Sequence, residues 1–158
     1  MGSRLVPGLL SRGHEVKALV RSGSEKKLPF DCTSVRGDAL NRRTYIDHIH
    51  PADTFVHLVG VAHPSPSKAE EFRRIDFVAA REAFEAAKTA GIQHFIYLSV
   101  AHPARAMKAY VQVRVECESL LQATGMNATI LRPWYVLGPG HWWPYVLVPG
   151  YLIAEMIP

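Results

Sequence analysis

HFIYLSVAHPARAMKAYVQVR, residues His94 to Arg114, is the stretch whose reading decides the fold. It opens on a run of strand length, His94 to Val100, dominated by aromatic and β-branched side chains. Such a run reads as a strand buried on both faces, the kind found inside parallel sheets. Ser99 stands at its carboxyl end, the edge of an open α/β sheet where ligands bind. A short loop containing Pro103 leads into a helix that carries Tyr110 and Arg114. One helical turn separates these two, which puts their Cβ atoms about 6 Å apart on a shared face. A hydroxyl at a strand end, a phenol and a fixed cation one turn beyond it form a candidate proton-transfer site. A buried helical tyrosine beside a surface arginine satisfies the same spacing.

Outward from this stretch a rhythm repeats. RLVPGLLSRG runs into HEVKALV, EFRRIDFVAAREAFEAAKTAG into IQHFIYLSV, and YVQVRVECESLLQATG into MNATILR. Gly13, Gly91 and Gly125 each fall where a helix end wants a left-handed residue. Alternating helix and strand of this kind means βαβ units and a parallel α/β sheet. The first helix is expected over Ser3 to Arg12, with Leu5, Leu9 and Leu10 on its buried face, because Pro7 is tolerated only near a first turn. The next strands are expected over His14 to Val20, around Val35 and over Thr54 to Gly60, with a short helix from Asn41 to Ile49. Ser67 followed by Glu70 reads as a capping box opening the long middle helix.

The motifs resemble a known family. Ser99, Tyr110 and the cation four residues on are similar to the Ser and Tyr-x-x-x-Lys signature of the short-chain dehydrogenase/reductase superfamily. LRPWYVLGPG, Leu131 to Gly140, resembles the Arg-Pro-x-x-x-x-Gly-Pro-Gly turn of its extended and atypical, epimerase-like members. GSRLVPGLLSRGHEVKALVR resembles their first helix and second strand. The match is nearest to the atypical NAD(P)H-binding branch that includes a respiratory complex I accessory subunit. It implies a Rossmann-like doubly wound parallel sheet, a nicotinamide cofactor and a small carbonyl or hydroxyl substrate. Residues 1–133 would be the nucleotide-binding domain and 134–158 the start of a small capping segment.

The resemblance also implies roles. Tyr110 would exchange a proton, steadied by Ser99 and Arg114, with Arg114 reaching the cofactor ribose. Gly2 would be the last glycine of the phosphate-binding turn. Leu58, Val59 and Gly60 would line the nicotinamide, Asp38 would face the adenine, and Pro133 would touch the cofactor. Arginine replaces the usual lysine at 114. A nearby positive charge favours phenolate over phenol, so arginine serves the electrostatic part, but it releases no proton. On that reading lysine at 114 would work at least as well. A non-catalytic NADP-binding sensor or accessory subunit on the same fold, or a non-functional fragment, remains the alternative.

Cofactor choice turns on Arg21, at the end of the second family strand. An acidic residue there grips ribose hydroxyls, whereas an arginine suits a 2′-phosphate. Arg21 is backed by Lys26 and Lys27, which favours NADP with NAD possible. A plain surface cation is the alternative for Arg21, and a turn cap for Asp38. His57, inside an apolar run, reads as a satisfied core histidine rather than a catalyst.

Composition narrows the classes. A chain of 158 residues has one domain's length, and 48% hydrophobic with 20% charged residues is ordinary for a globular protein. The net charge of +4 is spread without a basic block, which argues against nucleic acid. Cys32 and Cys117 read as free thiols of a cytoplasmic protein. The eight histidines show no ligand spacing, so no metal site is expected; His63 and His102 follow strands at the pocket mouth. The aromatic stretch from Trp142 is too short and too broken by proline to span a bilayer, and reads as a substrate cap or as a protein or peripheral membrane contact. Finally, the sequence begins at a helix, whereas the resembled fold begins with a strand and a glycine-rich turn. The expectation is a truncated chain whose sheet lacks its central strand, leaving unpaired edges.

Overall fold

Three glycines set the chain's rhythm: Gly13, Gly91 and Gly125 adopt φ of 83°, 69° and 72°, the left-handed region in which glycine carries no Cβ penalty. Each follows a helix and sends the chain into a strand, as the sequence predicts. The computed structural model describes residues 1–62, 64–101 and 107–133. His63, His102, Pro103 and segment 134–158 lie outside them, so the pocket-mouth histidines and the aromatic cap are not placed.

The elements run α1 (Gly2–Leu10), β1 (Lys17–Val20), β2 (Thr33–Arg36), β3 (Thr54–His57), α2 (Ala69–Glu71), a π-helical segment (Phe72–Phe77), α3 (Val78–Thr89), β4 (His94–Leu98), α4 (Lys108–Ala123) and β5 (Ala128–Leu131). Among the described residues every strand pairs in parallel: β1 with β2, and β3-β4-β5 in a second sheet. This is the Rossmann-like arrangement expected, and its sheet is in two parts because β1 and β3 are not paired with each other among the described residues.

The core lies between the second sheet and helices α3 and α4. Phe95 and Tyr97 of β4 are fully buried against Phe84 of α3, with ring centroids 5.2 and 5.6 Å away. Alanines 79, 80, 83, 86 and 87 line the buried face of α3, which lets its backbone approach the sheet closely. The expectation that β4 is buried on both faces is corrected: His94, Ile96 and Leu98 are only half-buried. Both long helices pack on the Phe95–Tyr97 face, so the opposite face is covered incompletely among the described residues.

Other expectations shift in detail. Helix α1 starts and ends earlier than Ser3 to Arg12, and Leu5, Leu9 and Leu10 are half-buried rather than buried. Pro7 sits in its second turn, where its missing N–H removes one helical hydrogen bond. The segment 41–49 forms two short 3₁₀ turns instead of a helix. The capping box is absent: helix α2 has no side-chain cap, and Ser67 Oγ instead lies 2.9 Å from Ser65 Oγ. A 3₁₀ turn over Pro66–Lys68 intervenes and takes Ser67 out of the capping position.

His57 is the buried residue that the sequence reads half correctly. It belongs to the core, stacked on Tyr97 at 5.7 Å, but its Nε2 has no partner among the described residues. Burial, reinforced by the Arg114 charge, pushes its pKa down to about 3, so the native imidazole is neutral. The unfolded chain takes up this proton near pH 6.5. The stability tied to neutral His57 is therefore full above that pH and drains as pH falls toward 3, by up to about 1.4 kcal/mol per unit. Denaturant unfolding from pH 6.5 to 4.5 should show wild type losing stability faster than His57→Leu. Parallel curves would show that His57 does not titrate on unfolding.

Candidate functional site

Arg114 is where the carboxyl ends of the strands meet. Helix α4 presents it inward because Tyr110, Val113, Arg114, Cys117, Glu118 and Leu121 share its sheet-facing side, and Arg114 is only 5% exposed. Its Nη2 donates to Asp76 Oδ1 at 2.5 Å. Its Nη1 donates to the Leu98 carbonyl at 3.0 Å and to the Tyr97 hydroxyl at 3.3 Å. The guanidinium carbon lies 5.1 Å from the Tyr110 ring centre, a cation–π distance. Thus Tyr110 and Arg114 do meet on one helix face. The same cation is bonded to the backbone of the residue preceding Ser99.

Asp76 completes the arrangement. It is fully buried in the π-helical segment and accepts from the Val61 amide at 2.9 Å through its second oxygen. The pair therefore joins the ends of β3 and β4, the π segment and α4. Gly60 has a direct reason here: a Cβ would stand 2.5 Å from Arg114 Nη2 and 3.0 Å from Asp76 Oδ1. Burial raises the Asp76 carboxyl above its usual range, opposed by the Arg114 charge and the Val61 amide. Burial works against the charge on Arg114, but Tyr97, Tyr110 and Asp76 outweigh it, so its pKa is raised and it stays cationic. Burial likewise raises the Tyr97 phenol, with Arg114 opposing.

Ser99 is 4% exposed, and its hydroxyl has no partner among the described residues. Its amide donates to the Leu131 carbonyl at 2.8 Å, and the Ala101 amide to the Pro133 carbonyl at 3.1 Å. These bonds carry the β4–β5 pairing past both strand ends and hold Pro133 beside Ser99's loop. Glu118 of α4 fixes the same edge, accepting from Arg132 Nε at 3.0 Å and from Nη2 at 2.6 Å.

Residues 1–139 match the family model described as NAD(P)H-binding. The chain belongs to this NAD(P)H-binding family. Its fold is that of epimerase-like nucleotide-binding proteins. MoeE5 in complex with UDP-glucuronic acid and NAD is similar at 26% identity and a TM-score of 0.72, over 89% of this chain and 53% of that one. The enzyme WbmH of Bordetella bronchiseptica, in complex with NAD+, superposes with a TM-score of 0.69 at 20% identity, over 94% of this chain and 59% of that one. Among curated proteins, the ceramide reductase of Caulobacter vibrioides is 28% identical over 89% of this chain and 44% of its own length. A ketoreductase of Stigmatella aurantiaca acting on a farnesyl-dihydroquinoline oxide is 26% identical over 87% of this chain and 48% of its own. The chain spans about half the length of the curated relatives it matches.

Of the remaining expected residues of this NAD(P)H-binding protein, Gly60 packs against Arg114, whereas Gly2, Arg21 and Asp38 stand on α1, beyond β1 and beyond β2. Gly2 opens α1 with free space around it, and Arg21 is exposed just beyond β1. Asp38 follows β2 and accepts from the Leu40 amide at 2.9 Å, the turn-capping role that the sequence leaves open. Leu58 and Val59 continue from β3, half-buried, into exposed Gly60. Among the described residues no group of three His, Cys, Asp or Glu could hold a metal, and both cysteines are free. No described helix is long and apolar enough to cross a membrane. An open groove of about 650 Å³ beside Pro7, His14 and Pro29 lies at the amino ends of β1 and β2, away from this edge.

Asp76 is the residue that sequence reasoning misses. Its one signal is a carboxylate between Ile75 and Phe77 in a helical run. Gly60→Ala tests the packing directly. It should destabilise the fold by about 1–3 kcal/mol, as overpacking does, in denaturant unfolding. Wild-type stability would mean that the ion pair does not fill that space.

Proposed function

We propose that this chain is the cofactor-binding part of an NADP-dependent oxidoreductase that reduces a ketone or oxidises the matching alcohol. The observation that carries the reading is the buried Ser99 hydroxyl, without a partner among the described residues, at the carboxyl edge of β4, beside the backbone that Arg114 ties to Tyr110. A buried hydroxyl without a partner is rare and suits a site where a ligand supplies the missing bond. The residues fit a dinucleotide in two further places. Gly2 leaves the α1 N-terminus open to a phosphate, and Gly60 brings bare backbone to the same edge as Ser99.

When bound, the nicotinamide supplies or accepts the hydride. Tyr110 gives its hydroxyl proton to the carbonyl oxygen as that oxygen gains charge, and takes it back in the reverse direction. Ser99 donates a hydrogen bond to the same oxygen. Arg114 acts on Tyr110 by position, because Asp76 already neutralises it. Both similar curated proteins are named for reductions of lipophilic compounds, a ceramide and a farnesylated ring, which supports a carbonyl on an apolar substrate. Arg21 would bind the 2′-phosphate through charge-assisted hydrogen bonds.

A second reading rests on one observation. Arg114 is committed to Asp76, Tyr97 and Leu98, so it is not a free cation for the ribose. That favours a nucleotide-binding subunit without turnover. NADPH oxidation against apolar ketones separates the two. In an active protein Tyr110→Phe should lower kcat by about 10²-fold or more, while Tyr110→Phe with unchanged turnover would remove the acid–base role. NADPH bound with no turnover on any carbonyl would leave the subunit reading. For the cofactor, Arg21→Ala should weaken NADPH by about 1–3 kcal/mol in a fluorescence titration and leave NADH nearly unchanged. Equal losses for both would overturn the NADP assignment.

A further inference from the structure

Phe30 is the most exposed large apolar side chain described, at 102% of its reference area. Its place is structured. The Cys32 amide donates to the Pro29 carbonyl at 3.1 Å, closing a turn with Phe30 at its first corner. Thr33, just beyond, is held to the Val16 carbonyl at 3.0 Å. Upstream, a 3₁₀ turn over Glu25–Lys27 exposes Lys26 and Lys27. Glu25 in that turn is ion-paired to Arg36 at 2.5 Å, so its charge is cancelled locally. The crossover between β1 and β2 thus offers Lys26 and Lys27 against Asp31, with the exposed Phe30 ring in its Pro29–Cys32 turn.

We propose that this crossover docks on an anionic lipid surface, Phe30 entering the headgroup–acyl boundary while Lys26 and Lys27 meet lipid phosphates and carboxylates. Charge complementarity decides the occupant. Exposed lysines three and four residues before an exposed ring suit a surface that is negative outside and apolar beneath, the two-signal pattern of reversible membrane binding. One ring and two lysines give weak, salt-sensitive attachment rather than anchoring. The surface is separate from Ser99 and Tyr110, and it would bring an enzyme for apolar substrates to where they dissolve. The docking itself does not depend on the proposed chemistry.

Sedimentation with vesicles tests it. Wild type should pellet with vesicles of 30% phosphatidylserine in phosphatidylcholine at 50 mM salt, and be released at 0.5 M. It should not pellet with phosphatidylcholine alone. Phe30→Ser should lower the partition coefficient about tenfold, and Lys26→Glu with Lys27→Glu about 25-fold or more, from about fivefold per lysine near such a surface. Phe30→Ser should keep wild-type circular dichroism and NADPH affinity. Equal binding to both vesicle types, binding untouched by these variants, or no binding would overturn the proposal. So would a Phe30-dependent dimer in solution without vesicle binding, which would assign the ring to protein contact.

Discussion

The buried pair between Arg114 and Asp76 is the interaction on which the carboxyl edge of this structure depends. Their side chains are 6% and 0% exposed, and they stand 38 positions apart in the chain. A buried ion pair contributes little net stability compared with apolar packing, yet losing one partner leaves a charge stranded and costs about 3–5 kcal/mol. Such a pair therefore selects one arrangement. Here it fixes where the ends of β3 and β4, the π segment and α4 stand relative to one another. Its Nη1 goes to the Tyr97 hydroxyl and the Leu98 carbonyl, so both ends of the guanidinium fork are engaged, while the buried Nε has no partner among the described residues. Lysine, with a compact ammonium, does not reproduce that fork.

This changes the meaning of the sequence motif. From spacing and resemblance, Arg114 stands in for a lysine that grips cofactor, and a lysine there would serve. In the folded chain the cation faces inward, charge-balanced by Asp76, and reaches Tyr110 across the face of its ring. The proposed acid–base role then rests on Tyr110 and Ser99, with Arg114 holding their surroundings. Gly60 follows from the same cause: a backbone passing so close to a guanidinium leaves no room for a side chain.

How much was legible follows from which signals are local. The glycine helix ends, the β4 strand, the Tyr110–Arg114 face and the parallel α/β class are set by neighbours a few residues away, and the structure agrees with them. Asp76 was illegible because its partner is distant in sequence, and because the π turn that presents it has no residue signature. The both-face burial of β4 was misread because an apolar run does not say how many helices cover each side. The Ser67–Glu70 spacing suggested a cap, but a cap also needs the helix to begin there, and Pro66 opens a 3₁₀ turn first. Asp38 carried two meanings in sequence, and its contact with the Leu40 amide realises the turn-forming one without deciding the cofactor role.

The central claim is that Arg114 and Asp76 act as one unit. A double-mutant cycle with Asp76→Ala, Arg114→Met and the double variant, read by denaturant unfolding, measures it directly. The account predicts a large loss for each single variant and a double variant losing much less than their sum, with a coupling of about 2 kcal/mol or more. Losses that add to within about 0.5 kcal/mol would contradict it.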